Sequence, residues 1–149
     1  MLLTAAVSMV PVVELRGGIP FGAALGLSRW QALVAGVAGN MLPTPFIVVY
    51  IRRIFLWMRG RFPRLRRVVD SLERKASSKG RTVLRYQYLG LFILVAIPLP
   101  GTGAWTGALV AAFLNLRLKK ALPAILLGVI TAGLIMTFLT HTVSLAFLG

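Results

Sequence analysis

Long stretches without a charged side chain are the feature that most limits how this chain can fold. Two of them, residues 30–51 and 121–149, contain 22 and 29 residues, and about 20 apolar residues suffice for a helix to cross a bilayer. Hydrophobic residues make up 58% of the chain and charged residues only 13%, whereas soluble domains are about 45–50% apolar. The sequence therefore predicts one all-α integral membrane domain over residues 1–149.

The other two uncharged stretches are too short or too broken to cross as plain helices. Residues 1–13 are followed by charged side chains, and residues 86–116 contain the turn-forming sequence PLPGTG. We expect a re-entrant helical hairpin in each half, residues 1–29 and 86–116, because irregular backbone at membrane depth survives only inside protein or a cavity. A transmembrane helix follows each hairpin, at residues 30–58 and 117–149, and prolines should kink the first of these helices.

Basic residues are concentrated between the two halves. Twelve Lys and Arg but only two acidic residues lie between Arg52 and Arg85, and the chain carries a net charge of +14. Such a cluster is typical of a cytoplasmic loop that meets anionic lipid headgroups, so membrane lipids are the expected partners and nucleic acid is not. Within it, residues 59–85 have an apolar stripe at helical spacing, which predicts a basic amphipathic helix on the membrane surface.

The positive-inside rule also bears on the second hairpin. If residues 86–116 crossed the membrane, Arg117, Lys119 and Lys120 would face away from the basic loop, whereas a hairpin keeps them on its side. This predicts that residues 52–85 are cytoplasmic and that both termini lie outside. The two halves also share the dipeptide Gly-Ala, at Gly22 and Gly107, and broken segments in corresponding places are typical of transporter inverted repeats.

Glu14 and Arg16 lie inside the first hairpin, in VPVVELRGGIP. The outgoing helix of each hairpin would begin at its tip, so that two positive helix N-termini face each other and favour an anion. Arg16 would add a positive charge, and Glu14 would balance that charge or carry a proton. The alternative is that the two side chains pair across the glycine turn and only brace it.

Three further polar positions allow two interpretations each. Asn40 either satisfies a carbonyl freed by a nearby proline or faces the cavity. Thr102 and Thr106 either donate to a ligand or bond back to the helix. Trp105 either lines the cavity or packs between helices.

The residue types that enzymes need are scarce. The chain has no cysteine, one histidine and three acidic residues. A metal cluster, a catalytic triad or a pair of catalytic carboxylates cannot be assembled from this set, so we expect a protein that is not an enzyme and needs no cofactor or metal.

Three segments carry a resemblance to a known family: PVVELRGGIPFG, GNMLPTPF and IPLPGTGAWTGALVA. They resemble the putative small multidrug export protein family, which is similar in architecture to the DedA/VTT superfamily. The resemblance implies a multi-pass protein of the prokaryotic inner or plasma membrane with hairpin-plus-helix inverted repeats. Its signature positions fall on Glu14, Arg16, Gly17, Pro20, Gly39, Asn40, Pro43, Pro98, Pro100, Gly101, Thr102, Gly103, Trp105, Thr106 and Gly107. All of these except Gly39, Pro43 and Gly107 are our candidate substrate-binding or proton-coupling residues.

Three functional hypotheses follow. The leading one is translocation of an anionic lipid or another phosphate-bearing amphiphile, for example a polyprenyl phosphate, with proton coupling through Glu14. The second is a proton-coupled small multidrug exporter of cationic compounds, against which the nearby charge of Arg16 argues. The third is a membrane scaffold that transports nothing. A homo-oligomer is compatible with all three.

Overall fold

The computed structural model describes residues 1–61, 80–99 and 102–148, and every regular element in those residues is an α-helix. This confirms the all-helical prediction. The basic helix predicted over residues 59–85 falls mainly on residues outside the described part. The helices are α1 (Leu2–Ser8), α2 (Glu14–Ala24), α3 (Arg29–Met41), α4 (Thr44–Arg61), α5 (Gly80–Ala96), α6 (Ala104–Phe113) and α7 (Leu118–Leu148).

Helices α3 and α4 together form a first candidate membrane span. Residues Arg29–Ile54 have a mean hydropathy of 1.7 and sufficient length to cross a bilayer. A capping box starts α3: the Ser28 hydroxyl accepts from the Gln31 backbone N–H, and the Gln31 side chain accepts from the Ser28 backbone N–H. Regular helix is interrupted at residues 42–43, since Pro43 has no N–H to donate. The interruption coincides with the position at which the sequence predicts a kink.

Helix α7 contains the second candidate span, Leu118–Val143, with a mean hydropathy of 2.3. Its threonines do not disturb this apolar helix, because the hydroxyls of Thr131, Thr137 and Thr142 each donate to the carbonyl four residues earlier. Large apolar side chains point outward from the helices that form both spans, as at Phe138, which is 72% exposed. An apolar surface of this extent suits contact with lipid rather than water.

Contacts at both ends show that the two spans run antiparallel. Near the end of the first span, the Arg52 guanidinium donates to the carbonyl oxygen of Leu116, just before α7 begins. At the opposite end, Arg29 at the start of α3 lines the same cleft as His141, close to the end of the second span. The beginning of each span therefore lies beside the end of the other.

The remaining helices form two helical hairpins. Helices α1 and α2 form the first hairpin, with the first turn (residues 9–13) between them, and α5 and α6 form the second, with the second turn between them, of which residues 97–99 and 102–103 are described. In each hairpin a glycine on the outgoing helix lets the incoming helix approach closely: Gly18 contacts α1 and Gly107 contacts α5. Small residues at such positions allow helix backbones to pack tightly in membrane proteins.

The outgoing helices of the two hairpins end in the same way. Helix α2 is followed by Gly26 with a φ of 79°, and α6 is followed, 89 residues later in the chain, by Asn115 with a φ of 51°. In both cases the next leucine donates its N–H to the carbonyl five residues back, at 3.1 and 2.9 Å. This is the hydrogen bond of a left-handed helix C-cap, which glycine and asparagine favour.

Two glycines on the spans, also 89 residues apart, each lie against the incoming helix of a hairpin. Gly39 lies against the backbone of Ala5, and Gly128 lies against the carbonyl of Phe92. At a separation of 89 residues Gly107 corresponds in position to Gly18, whereas the dipeptide shared in the sequence pairs it with Gly22.

The interior between the hairpins and the spans is filled mainly by small and aliphatic side chains. Helix α6 packs against α4, and α5 packs along α7. Because alanine has little bulk, these helices lie close together while their larger residues face outward. The fully buried alanines are Ala32, Ala104, Ala108, Ala111, Ala121 and Ala132.

Candidate functional site

The first and second turns meet, and the carboxylate of Glu14 lies at their contact. The side chain is only 4% exposed, and its Oε1 accepts a hydrogen bond of 3.1 Å from the backbone N–H of Trp105. Trp105 belongs to the first turn of α6, where backbone N–H groups have no partner within the helix. A negative charge at this positive end of the helix dipole is favourable. Glu14 on one hairpin therefore caps the outgoing helix of the other.

The backbone at this contact also adopts unusual conformations, with positive φ angles at Glu14 and Gly103. Glu14 has a φ of 49°, a left-handed conformation that costs a non-glycine residue about 1–2 kcal/mol. Gly103, which precedes α6, has a φ of 136°, and a Cβ added to it would collide with the Glu14 carboxylate. Strained conformations of this kind tend to persist at functional sites. The close approach of the two turns therefore requires glycine at position 103.

Arg16 makes a second connection between the hairpins. Its guanidinium donates to the carbonyl of Leu99, to the carbonyl of Ile97 at 3.3 Å and to the Thr102 hydroxyl oxygen at 2.7 Å. The hydroxyl of Thr102 also lies 2.7 Å from the Ile97 carbonyl. The planar guanidinium suits this group of acceptors because it presents several N–H donors in a fixed fork. The positive charge of Arg16 is thus directed at the second turn.

Trp105 makes a third connection between the hairpins. We call the contacts made by Glu14, Arg16 and Trp105 the joint. Its indole Nε1 donates to the carbonyl of Met9 at 3.2 Å. The tryptophan therefore packs between the hairpins, which agrees with one of the two interpretations offered by the sequence. Each hairpin both donates to and accepts from the other.

A cleft of about 370 Å³ opens beside this joint. Its volume lies within the range of about 300–1,000 Å³ that small-molecule sites occupy. Most of the wall is apolar or weakly polar, and the ionisable side chains on it are Glu14 and Arg16. The lining residues are Pro11, Val12, Glu14, Arg16, Pro98, Thr102, Thr106 and Met136.

Asn40 lies behind the same joint, on the first span. It is 1% exposed and borders a narrow gap together with Glu14, Arg16 and Gly103. Its Oδ1 has no hydrogen-bond partner among the described residues. The carbonyl of Asn40 accepts from the Thr44 hydroxyl at 2.8 Å, so Thr44, not the Asn40 side chain, bonds to a backbone carbonyl near the prolines.

The other residues predicted for the site differ in how close they come to it. Pro98 and Thr106 line the cleft. Gly17 contacts Val13, and Pro20 is within α2. Pro100 and Gly101 lie outside the described residues. Within the described ranges, histidine and acidic side chains do not cluster in a way that could hold a metal ion.

Some groups at the joint could not be found from the sequence. The carbonyls of Ile97 and Leu99 accept from Arg16, but a backbone carbonyl has no signature in the amino-acid sequence. Met136 lines the cleft from α7, although its sequence context is that of an ordinary transmembrane helix. Only the packing of α7 beside α2 brings it there.

A second, larger cleft of about 560 Å³ lies between the start of α3 and the later part of α7. Arg29, Trp30 and His141 line it together with Phe138. Tryptophan and basic residues at the ends of spans are typical of the membrane–water interface. The residues that line this cleft do not belong to the two turn motifs of the sequence.

Comparison with known proteins identifies a family. The family model described as "Putative small multi-drug export protein" matches residues 14–135, from the start of α2 through the second turn and into α7. No curated protein and no solved structure matches the chain. The family and the two apolar spans together indicate a membrane protein whose family name refers to export of small compounds. The chain thus belongs to the putative small multi-drug export protein family.

Proposed function

We propose that this chain is a proton-coupled exporter of small amphiphilic cations in which Glu14 carries the exchanged proton. The observation that supports this most directly is the double position of Glu14. Its carboxylate borders the 370 Å³ cleft and also accepts from the Trp105 N–H of the other hairpin. The group that could bind a cation is therefore the group that holds the two hairpins together.

The charges in the cleft support exchange of a proton for a cation. With Glu14 ionised, the charges of Glu14 and Arg16 cancel, and a carboxylate in an apolar wall attracts an organic cation. When Glu14 takes up a proton, the positive charge of Arg16 remains and repels that cation. Proton binding and cation binding would therefore exclude each other, as antiport requires.

The sequence alone argues against a cationic substrate, because the charge of Arg16 would repel it. The position of Arg16 in the structure weakens that argument. Its guanidinium donates to two carbonyls and one hydroxyl of the second turn, and these acceptors offset part of its charge. The charge still acts within the cleft, but the N–H groups point at the protein. A cation could approach Glu14 without meeting the guanidinium directly.

Protonation of Glu14 would also loosen the joint between the hairpins. A hydrogen bond to an ionised acceptor is roughly twice as strong as one between neutral groups. The bond from the Trp105 N–H would weaken as the carboxylate becomes neutral, and the favourable interaction with the end of α6 would be lost. This links proton binding to the separation of the two hairpins, which is what opens and closes access in alternating-access transporters.

For the arrangement in the membrane, we propose two re-entrant hairpins in an inverted repeat. The antiparallel spans and the contacts that recur at a separation of 89 residues support it. In this arrangement the basic segment 52–85 is cytoplasmic and both termini are outside. The turns then meet inside the membrane, where irregular backbone is tolerated only within protein or around a cavity.

A second candidate function is translocation of an anionic lipid or another phosphate-bearing amphiphile. The observation that favours it is that Arg16 and Thr102 both line the cleft. If Glu14 is protonated and moves away from α6, the helix N-terminus becomes available to an anion. An acidic medium would then promote binding of the lipid, whereas cation export needs ionised Glu14 at the loading step.

The test uses purified protein in liposomes with an imposed pH gradient. Wild-type protein should drive accumulation of a cationic dye, Glu14→Gln should abolish it, and Glu14→Asp, which keeps a carboxyl group, should retain part of it. Full dye transport by Glu14→Gln would contradict the proposal. Acid-stimulated movement of a phosphate lipid without dye transport would establish the second candidate, and no transport of either would favour the scaffold.

A further inference from the structure

Asn40 has a buried oxygen for which the described residues provide no hydrogen-bond donor. The side chain is 1% exposed, and Oδ1 has no partner. Leaving a buried acceptor unsatisfied costs about 1–3 kcal/mol, and native proteins rarely tolerate it without a reason. Asn40 therefore points to a donor that is present in another state of the protein.

Water cannot be that donor in this arrangement. The gap that Asn40 shares with Glu14, Arg16 and Gly103 is too narrow to hold a water molecule. The donors at this gap that already have partners are the terminal nitrogens of Arg16, which donate to the second turn, and the Trp105 N–H, which donates to Glu14. A new donor for Asn40 Oδ1 arises when another group at the gap gains a hydrogen.

Glu14 is the group at this gap that gains a donor when the protonation state changes. An ionised carboxylate only accepts hydrogen bonds, whereas a protonated carboxyl has one O–H to donate. We infer that Asn40 Oδ1 accepts a hydrogen bond from the protonated carboxyl of Glu14 and so stabilises the proton-bound state of the exporter. This inference rests on the proposed function, in which Glu14 carries the proton.

The exchange involves one proton and no other change in bonding. A proton from the acidic side binds a Glu14 carboxylate oxygen, the O–H turns toward Asn40, and the charge-assisted bond from Trp105 weakens. One hydrogen bond weakens while another forms. The new bond offsets part of the loss, so the proton gradient can shift the populations of the two states. Asn40 acts as a positioning residue, since it stabilises the carrier of the proton and need not touch the substrate.

Charged groups elsewhere do not compete for this role. Arg16 is the ionisable side chain next to Glu14 on the same helix. Helices α1 and α6 contain no ionisable side chain. The only one on α3 is Arg29 at its start, and α7 carries Lys119 and Lys120 at its beginning and His141 far along it.

Infrared difference spectra of the purified protein on acidification test the inference without any transport assay. Asp70, Glu73 and the C-terminus contribute carboxyl bands to every variant, so the band of interest is the C=O band of a protonated carboxyl that is present in wild type and missing in Glu14→Gln when the two spectra are subtracted. In Asn40→Leu the band should move to higher frequency and develop at a pH about one unit lower, because a hydrogen bond to the protonated form is lost. Thr4→Val is the matched control: Thr4 Oγ1 is also buried without a partner, but it does not line this gap, so the band should stay unchanged.

Asn40→Asp is a second, isosteric variant for the case that Asn40→Leu fails to fold. Two neighbouring carboxyls should share a proton, so that the band should develop at a pH at least about one unit higher than in wild type. An unchanged band in either folded variant would overturn the role of Asn40 and leave the proposed function intact. A wild-type spectrum identical to that of Glu14→Gln would overturn both, because Glu14 would then take up no proton.

Discussion

The first and second hairpins meet turn to turn, yet they contribute different kinds of group to the contact. The first hairpin supplies charged side chains, Glu14 and Arg16. The second supplies mainly backbone groups: the N–H of Trp105 and the carbonyls of Ile97 and Leu99. Contacts between charged side chains and backbone dipoles require a particular geometry. The charge of Glu14 is lost when its carboxylate binds a proton.

The difference follows from where the two halves touch. Glu14 and Gly103 are 89 residues apart, occupy corresponding places before or at the start of an outgoing helix, and both have a positive φ. Because they contact each other, only one of them can carry a side chain. Two glutamates there would place like charges together, which is unfavourable. The asymmetry thus follows from sterics and charge at a point where equivalent positions meet.

The largest expected effect is in a labelling experiment, which reports on which side of the membrane each part of the chain lies and so tests how the two halves are oriented. The chain has no cysteine, so single cysteines can be added at the N-terminus, at Ser77 and at the C-terminus. They should react with a membrane-impermeant reagent from outside, inside and outside respectively. Opposite sides for the two termini would break the comparison, because the hairpins would then not be related by inversion.

Next in size is the effect of a side chain on the second turn. Gly103→Ala should separate the turns, because the new Cβ collides with the Glu14 carboxylate and the backbone conformation is unfavourable for alanine. We expect a loss of about 1–3 kcal/mol in stability together with loss of export. Gly90→Ala is the control, since a Cβ at Gly90 meets nothing within 4 Å and alanine favours helix. Equal thermal midpoints for the two variants would show that the contact is not as close as described.

Changing the charged side of the joint should have an intermediate effect. Arg16→Gln removes the charge and the guanidinium, and Arg16→Lys keeps the charge but not the planar fork. Both should lower the thermal midpoint, Arg16→Gln more, by a loss of about 1.5–3 kcal/mol. Arg53→Gln, at an exposed position, should leave the midpoint unchanged. A wild-type midpoint in Arg16→Lys would mean that charge alone suffices at this position.

The smallest effect is expected for the hydrogen bond that runs from the second hairpin to the first. Trp105→Phe removes the indole donor to the Met9 carbonyl and keeps an aromatic ring between the hairpins. Stability should fall by about 1 kcal/mol, the net contribution of one neutral hydrogen bond, while dye export persists. A loss of export as large as in Gly103→Ala would show that the second hairpin contributes a side chain as important as those of the first.

Several features of the site could be anticipated from the residues alone. Gly and Pro in PLPGTG predicted a turn. The glycine turn predicted beside Glu14 and Arg16 was wrong, because Gly17 and Gly18 lie inside α2 and the first turn precedes Glu14. The partners of that pair could not be predicted. Glu14 and Arg16 are two residues apart, but each bonds to a group 83 to 91 residues away in the chain. In the structure both side chains brace the contact between the hairpins, through partners on the other hairpin, and proton transfer by Glu14 stays a proposal.

The sequence shows the residue types of each segment and the length of each apolar stretch. It alone was enough to predict helices, a membrane location and two spans. These properties depend on each segment and its solvent, so they need no knowledge of what the segment packs against. The separation of 89 residues between the halves, the contact of Glu14 with Gly103 and the unsatisfied oxygen of Asn40 became evident only from the tertiary structure. Such features arise where distant segments meet, because close packing and hydrogen bonding there depend on backbone positions that no single segment specifies.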